Sequence, residues 1–214
     1  IMIEKLKAGN EAWIEKINAE DPTFFSKMAV GQSPEILWIG CSDSRAPANE
    51  ITGTQAGEIF VHRNIANMVV HSDMNLLSVL DYAVNALLVK HVIVCGHYEC
   101  GGVKAAMGGR QHGLVDNWIR HIKDVYRLYE DELEAIEDKQ ERFDKFVEFN
   151  VYEQVFDLSK TSIIQNAWEE RKSPTIHGWV FDVRTGKIKD LGISFDSNTE
   201  IPKLYKIDSE TVLF

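Results

Sequence analysis

The sequence has few cysteines, few prolines, no long apolar run and a deficit of basic residues. Three cysteines in 214 residues cannot form a disulfide framework, and five scattered prolines mark no linker. No apolar stretch approaches the roughly 20 residues that a membrane-spanning helix needs. The 23 basic and 33 acidic residues give a formal net charge of −10, which repels nucleic-acid phosphates and anionic lipids. We therefore expect neither nucleic acid nor a membrane as a partner.

The length and the hydrophobic content of 44% suit one compact core. We predict a single domain over residues 1–214, with an N-terminal helical arm over 1–30 and an α/β core with helical insertions over 31–214. Free thiols favour a reducing compartment, so a cytoplasmic location is the default expectation, although residue 1 is isoleucine rather than methionine.

Alternating strand and helix patterns predict an α/β fold. The core is expected to be a mostly parallel β-sheet with an antiparallel edge strand and flanking helices. Apolar runs predict strands at 35–40, 58–61, 91–95 and 175–183, and residues 180–189 read as a hairpin with Gly186 at its positive-φ position. Helical spacing predicts helices at 74–88, 114–139 and 152–172, the first capped by Ser72 or Asp73.

Two short motifs, each directly after a predicted strand, carry the strongest chemical signal. Cys41 begins a Cys-x-Asp-x-Arg sequence, and His97 and Cys100 form a His-x-x-Cys sequence. Two thiols and an imidazole are a zinc ligand set that leaves one tetrahedral position open, as catalytic sites do. Cobalt or iron remain alternatives to zinc. Cys95 lies inside an apolar run and is expected to be a buried hydrophobic residue.

Asp43 and Arg45 stand beside the first ligand. The Asp43 carboxylate can either accept a hydrogen bond from a metal-bound water or bind the metal itself. The planar guanidinium of Arg45 can hold that carboxylate in a bidentate pair.

Because two thiolates cancel the charge of Zn²⁺, the bound water should be less acidic than in a site with three imidazoles. We therefore expect a rate that rises from neutral pH to about 8.5 or beyond.

At these residues the chain resembles the β-class carbonic anhydrases, and the resemblance covers most of the sequence. Besides both metal motifs, residues 57–67 resemble the family strand that lines the active-site cleft. The resemblance implies one zinc ion per subunit on Cys41, His97 and Cys100, with Asp43 and Arg45 as a catalytic dyad. It implies reversible hydration of CO₂ to bicarbonate by attack of hydroxide.

The same resemblance implies a substrate pocket and an oligomer. Gln32 would donate a hydrogen bond to substrate, Gly101 would also contact it, and Phe60 and Tyr82 would form an apolar pocket, often across a dimer interface. Without the resemblance, Gln32 would be read as a turn residue and the two aromatics as core residues. An arm over residues 1–19 resembles the family arm that clasps a neighbouring subunit, so a homodimer or homotetramer is expected.

Some bacterial members bind inhibitory bicarbonate through tryptophan, arginine and tyrosine, while the dyad aspartate moves onto zinc. Trp38 and Arg63 match this pattern, but Phe181 stands at the tyrosine position. One lost hydrogen bond costs about 0.5 to 1.5 kcal/mol. We therefore expect bicarbonate to stabilise the closed state, in which Asp43 binds zinc, less in this chain than in members with tyrosine. The alternative is that Trp38 and Phe181 are simply packed aromatics.

Two other functions share the same ligand set. A hydrolase of CS₂ or COS uses a similar zinc motif on isoelectronic, linear substrates, and a structural zinc module would need no open site. A zinc nucleoside deaminase is disfavoured because the sequence has no His-x-Glu motif paired with Pro-Cys-x-x-Cys.

Overall fold

The computed structural model describes residues 1–207. It divides into two compact units, Ile1–Ser33 and the chain from Pro34 onward. In the first unit, α1 (Met2–Glu20) ends at Asp21, whose carboxylate accepts a hydrogen bond from the backbone N–H of Thr23 at 2.9 Å. The short helix α2 (Phe24–Met28) follows. The prediction of a single domain with an arm over 1–30 stays a prediction.

The second unit is built on a five-stranded sheet in the order β2-β1-β3-β4-β5. The pairs β2–β1, β1–β3 and β3–β4 are parallel, and β4–β5 is antiparallel. The predicted fold class is therefore confirmed, including the edge hairpin with Gly186 at φ 76°. The strands are β1 (Ile36–Cys41), β2 (Ile59–Asn64), β3 (His91–His97), β4 (Thr175–Asp182) and β5 (Lys187–Phe195).

Helices cover this sheet, and two of their predicted boundaries were wrong. Within the described residues they are α3 (Ala48–Thr52), α4 (Met74–Asp81), α5 (Gly101–Ala106), α6 (Asp116–Leu128), α7 (Glu130–Glu134), α8 (Lys139–Ser159) and α9 (Ser162–Arg171). Asp73 caps α4, which a π-helical turn (Tyr82–Ala86) continues. The single helices predicted over 114–139 and 152–172 are each interrupted. None of the helices in residues 1–207 is long and apolar enough to cross a membrane.

Local capping fixes where α8 and α9 begin. Asp138 accepts a hydrogen bond from the backbone N–H of Glu141 and starts α8 there. The Thr161 hydroxyl accepts one from Ile164 and starts α9. Short polar side chains at these positions favour the start of a new helix because they bond to its first backbone N–H groups. As a result, α8 runs across the predicted boundary at residue 152 and ends at Ser159.

The sheet has an apolar cluster on each face, because side chains alternate along a strand. Leu37 and Ile39 belong to the larger cluster, with which α8 packs, whereas Trp38 belongs to the smaller one. Cys95, which is 4% exposed, also lies in the smaller cluster and is the buried residue that the sequence predicts. Burial raises the pKa of the Cys95 thiol to about 12.

Strand order brings the two predicted motifs to one edge of the sheet. β1 and β3 are parallel neighbours with Gly40 paired to Cys95, so their carboxyl ends lie side by side. Cys41 is the last residue of β1 and His97 the last of β3. Two of the three candidate ligands therefore belong to the strands themselves, which fixes their backbones more firmly than a loop would, while Cys100 precedes α5.

Candidate metal centre

Three buried side chains converge at the carboxyl ends of β1 and β3. One ligand atom from each of Cys41, His97 and Cys100 lies within 4.8 Å of the other two, and this is the one such cluster in residues 1–207. The two sulfur atoms are 3.9 Å apart. Two thiolates bound at about 2.3 Å to one tetrahedral zinc ion are about 3.8 Å apart. The spacing of the sulfur atoms therefore fits a zinc ion.

The imidazole of His97 is oriented for metal binding. Its side chain is 1% exposed, and Nδ1 donates a hydrogen bond to the carbonyl oxygen of Tyr98 at 2.8 Å. In the neutral imidazole, that bond leaves Nε2 as the unprotonated nitrogen that can bind a metal ion. Nε2 has no hydrogen-bond partner among the described residues, although it is buried. A buried nitrogen without a partner is costly, and a metal ion would satisfy it.

A sulfur–sulfur hydrogen bond links Cys41 and Cys100. The hydrogen bond with Cys100 lowers the pKa of Cys41, and the same bond raises the pKa of Cys100. Two anionic sulfurs this close repel each other unless a cation lies between them. The cluster is thus built to hold a positive charge, which a divalent ion with two thiolate ligands would provide.

Arg45 holds the carboxylate of Asp43 at the edge of the cluster. The backbone N–H and Nε of Arg45 both donate to Oδ1 at 2.9 Å, and Nη2 donates to Oδ2 at 2.7 Å. This arrangement keeps the pKa of Asp43 well below its usual range. The carboxylate is therefore ionised, and Oδ2 lies 3.7 Å from Nε2 of His97. Asp43 stands next to the candidate metal-ligating nitrogen without being part of the three-residue cluster.

The turn between the second and third ligands has a support that the sequence motifs do not reveal. Glu99 adopts φ 60°, a left-handed conformation that a residue with a Cβ rarely takes. Its carbonyl oxygen accepts a hydrogen bond from Nη2 of Arg45 at 3.1 Å, and its carboxylate accepts one from Gln140 at 2.7 Å. Arg45 therefore links the Cys41 segment to the His97–Cys100 turn.

A sequence model of the carbonic anhydrase family matches residues 36–188, which include all three candidate ligands and the Asp43–Arg45 pair. The chain belongs to the β-class carbonic anhydrases. A carbonic anhydrase of Emericella nidulans is 52% identical over 205 residues, which cover 95% of this chain and 90% of that protein.

Solved structures of β-carbonic anhydrases share the fold. One, from a study of two tetrameric β-carbonic anhydrases of Sordaria macrospora, has a TM-score of 0.87 and 42% identity and covers 91% of this chain and 98% of that chain. A β-carbonic anhydrase of Coccomyxa in complex with acetazolamide has a TM-score of 0.87 and 36% identity, covering 90% of this chain and 87% of that chain. These relatives show the family and the sheet topology.

Two of the predicted substrate-binding residues of this β-carbonic anhydrase contact each other. The rings of Phe60 and Tyr82 have centroids 5.8 Å apart, and Tyr82 is 49% exposed in the single chain. Gly101 directly follows the ligand Cys100 and is the first residue of α5. Gln32 lies exposed in the first unit. The substrate-binding role of each of these residues stays a prediction.

The three predicted bicarbonate-binding residues are arranged around one short loop. Trp38 and Phe181 share the smaller apolar cluster with Ala46. Arg63 donates a hydrogen bond to the carbonyl oxygen of Ala46 at 3.2 Å. Trp38 also packs edge-on against Trp179, with ring centroids 6.1 Å apart. Anion binding at this corner stays a prediction, but the contacts of Arg63 indicate a further role that its place in the sequence did not suggest.

Proposed function

We propose that this chain catalyses the reversible hydration of CO₂ to bicarbonate and a proton, with one zinc ion per subunit held by Cys41, His97 and Cys100. The observation that carries the proposal is the three-ligand cluster with an ionised carboxylate beside it, Oδ2 of Asp43 being 3.7 Å from Nε2 of His97. A zinc ion there would act as a Lewis acid that lowers the pKa of water.

The residues of the chain would orient the reactants. The Asp43 carboxylate, kept ionised by Arg45, is a hydrogen-bond acceptor that can hold a water molecule in one orientation. The hydrogen bond from Nδ1 of His97 to the carbonyl oxygen of Tyr98 keeps Nε2 available for the metal. Should Asp43 instead move by a few ångströms toward Nε2, its carboxylate would occupy the position of that water and close the site.

Substrate recognition is proposed to rest on apolar surface. CO₂ carries no charge, so contact with the adjacent rings of Phe60 and Tyr82 suits it better than a salt bridge would. Gln32 and Gly101 are proposed to add polar contacts to the oxygen atoms of the substrate. The tetrameric state of the Sordaria macrospora enzymes supports the proposal that this chain also forms a homo-oligomer, a dimer or a tetramer. The cytoplasmic location stays a prediction.

The test is a stopped-flow CO₂ hydration assay on zinc-loaded protein with two matched variants. Asp43→Asn removes the acceptor charge, and we expect the rate to fall by about 100-fold or more. Asp182→Asn is the control, because Arg184 holds Asp182 through the same contacts, backbone N–H and Nε to Oδ1 at 2.9 Å. The control should keep wild-type activity, and both variants should keep their zinc.

Parallel assays separate the alternative functions. Sulfide release from CS₂ or COS without CO₂ hydration would identify a hydrolase of those substrates. Zinc-dependent folding without any hydration above background would identify a structural zinc module.

For bicarbonate regulation, Phe181→Tyr should lower the bicarbonate concentration that inhibits the enzyme; unchanged inhibition would refute the argument from the missing hydroxyl.

A further inference from the structure

Arg63, near the end of β2, hydrogen-bonds to three backbone carbonyl groups of a single loop. Nε donates to the carbonyl oxygen of Cys41 at 2.7 Å, and Nη2 donates to those of Asp43 at 2.6 Å and Ala46 at 3.2 Å. The loop between β1 and α3 thus has three of its carbonyls bound by one side chain. Two of these carbonyls are the backbone carbonyls of Cys41, a candidate metal ligand, and Asp43, the candidate catalytic residue.

The loop has no regular structure of its own between Cys41 and Ala48. One backbone hydrogen bond, from the N–H of Ser42 to the carbonyl of Asn64 at 2.8 Å, ties its first residue to the end of β2. Another, from Ala46 to Asp43 at 3.1 Å, lies within the loop. The side chain of Arg63 therefore connects the loop to β2 at three points, from Cys41 to Ala46.

The chemistry of this attachment is particular to arginine. A guanidinium has five N–H donors in a rigid plane, and here three of them point to three carbonyls. A lysine ammonium is a compact donor on a flexible chain and cannot reproduce that fork. The partners of Arg63 are neutral carbonyls rather than a carboxylate, so the contacts fix the path of the backbone.

We propose that Arg63 is a positioning residue of the metal centre, which fixes the directions in which Cys41 Sγ and the Asp43 carboxylate point. The inference rests on the proposed function, since it concerns residues assigned there to zinc binding and catalysis. It differs from the predicted anion-binding role of Arg63, because it needs no bicarbonate and uses the N–H groups already bonded to the loop.

The experiment compares Arg63→Met with the wild type and with a matched control. Arg142→Met is the control, because Nε and Nη2 of Arg142 donate to the carbonyl oxygen of Ile136 at 3.0 and 2.8 Å, in a region that contributes no candidate ligand. Zinc affinity is measured by chelator competition against the loaded protein in bicarbonate-free buffer. The absorption spectrum of cobalt-substituted protein reports the ligand geometry, and thermal unfolding reports the fold.

The expected result is selective for the metal centre. Arg63→Met should raise the zinc Kd by about 10- to 100-fold, as loss of a residue that orients a ligand does, and should change the cobalt spectrum. Arg142→Met should lower the melting temperature but keep the wild-type Kd and spectrum. Arg63→Lys, which keeps the charge and the aliphatic stem, should recover only part of the zinc affinity.

The outcomes that overturn the inference are equally specific. Wild-type Kd and cobalt spectrum in Arg63→Met would show that the loop needs no such attachment. Should that variant not fold, Arg63→Lys decides, because wild-type values there would show that the fork geometry is irrelevant. A wild-type protein that binds neither zinc nor cobalt would instead overturn the proposed function itself.

Discussion

Gly96 occupies a position where a single methyl group should disturb the site. It precedes His97 in β3, and a Cβ atom added there would lie 2.6 Å from Cγ2 of Val151 in α8 and 3.4 Å from Oδ1 of Asn67. Carbon atoms pack at about 3.5 to 4.0 Å, so α8 and β3 would have to separate by about 1 Å. Val151 is β-branched and fully buried, which leaves it little freedom to turn away.

The cost of Gly96→Ala follows from two opposing effects. Overpacking of a dense core costs about 1 to 3 kcal/mol, whereas replacing a strand glycine otherwise gains about 0.5 to 1 kcal/mol of backbone entropy. The midpoints of these ranges leave a net loss of about 1 kcal/mol, which lowers the melting temperature of a domain of this size by about 2 to 4 °C. Thermal unfolding at fixed protein concentration measures it.

A double-mutant cycle identifies the clash as the cause. Val151→Ala removes the methyl group that the new Cβ would meet, so Gly96→Ala should cost little in that background, with a coupling of about 1 kcal/mol or more. Gly109→Ala is the control, because a Cβ there would meet nothing within 4 Å. If Gly96→Ala lowered the melting temperature equally in both backgrounds, the packing argument would be wrong.

Three further predictions concern other parts of the molecule. Lys172→Gly should raise stability by about 1 kcal/mol in a melting experiment, because exposed Lys172 ends α9 at φ 56°, a left-handed conformation that costs a residue with a Cβ; an unchanged melting temperature would contradict this. Glu148→Gln should cost about 2 kcal/mol at pH 7: burial raises the pKa of Glu148, but bonds from Lys189, Tyr98 and Lys145 outweigh it and leave the pKa lowered. Its contribution is therefore complete above the unfolded pKa and is lost as pH falls through the lowered folded pKa, so the difference in melting temperature between variant and wild type should begin to shrink below about pH 4.5 and vanish at lower pH. The rate of CO₂ hydration should climb from pH 7 to about 8.5, and a flat profile between about pH 6.5 and 9 would refute the argument from two thiolates.

The strands β1, β2 and β3 could be predicted from the sequence because each contains a short apolar run. β1 and β3 are buried on both faces, so they lack polar alternation and are recognisable as apolar runs. Helix boundaries were harder to predict from the sequence. The helical spacing of apolar residues continues on both sides of Thr161, although α8 ends before that residue and α9 begins after it. The bonds made by Asp138 and Thr161 decide those ends, and similar residues occur inside helices elsewhere in the chain.

The metal ligands could be predicted because the chemistry of the motif is local: Cys41, His97 and Cys100 each follow or end a strand. The contacts that orient them come from distant segments and have no such pattern. Glu99 and Gln140 are 41 positions apart, and their hydrogen bond depends on how α8 lies beside the turn. The hydrogen bonds from Arg63 to the loop depend on the register of β2 with β1, which pairs Gly40 with Arg63. Only a three-dimensional arrangement reveals such partners.

The hydrogen bonds of Arg45 connect the two halves of the metal centre mechanically. Its Nη2 donates both to Oδ2 of Asp43 at 2.7 Å and to the carbonyl oxygen of Glu99 at 3.1 Å. A swing of the Asp43 carboxylate toward His97 would therefore have to break one of these bonds or pull the turn along with it. If Asp43 moves onto the metal as proposed, the barrier to that movement would be shared between two segments of the chain, and substitutions at Gln140, which is far from the candidate ligands in sequence but bonds to Glu99, would change its rate.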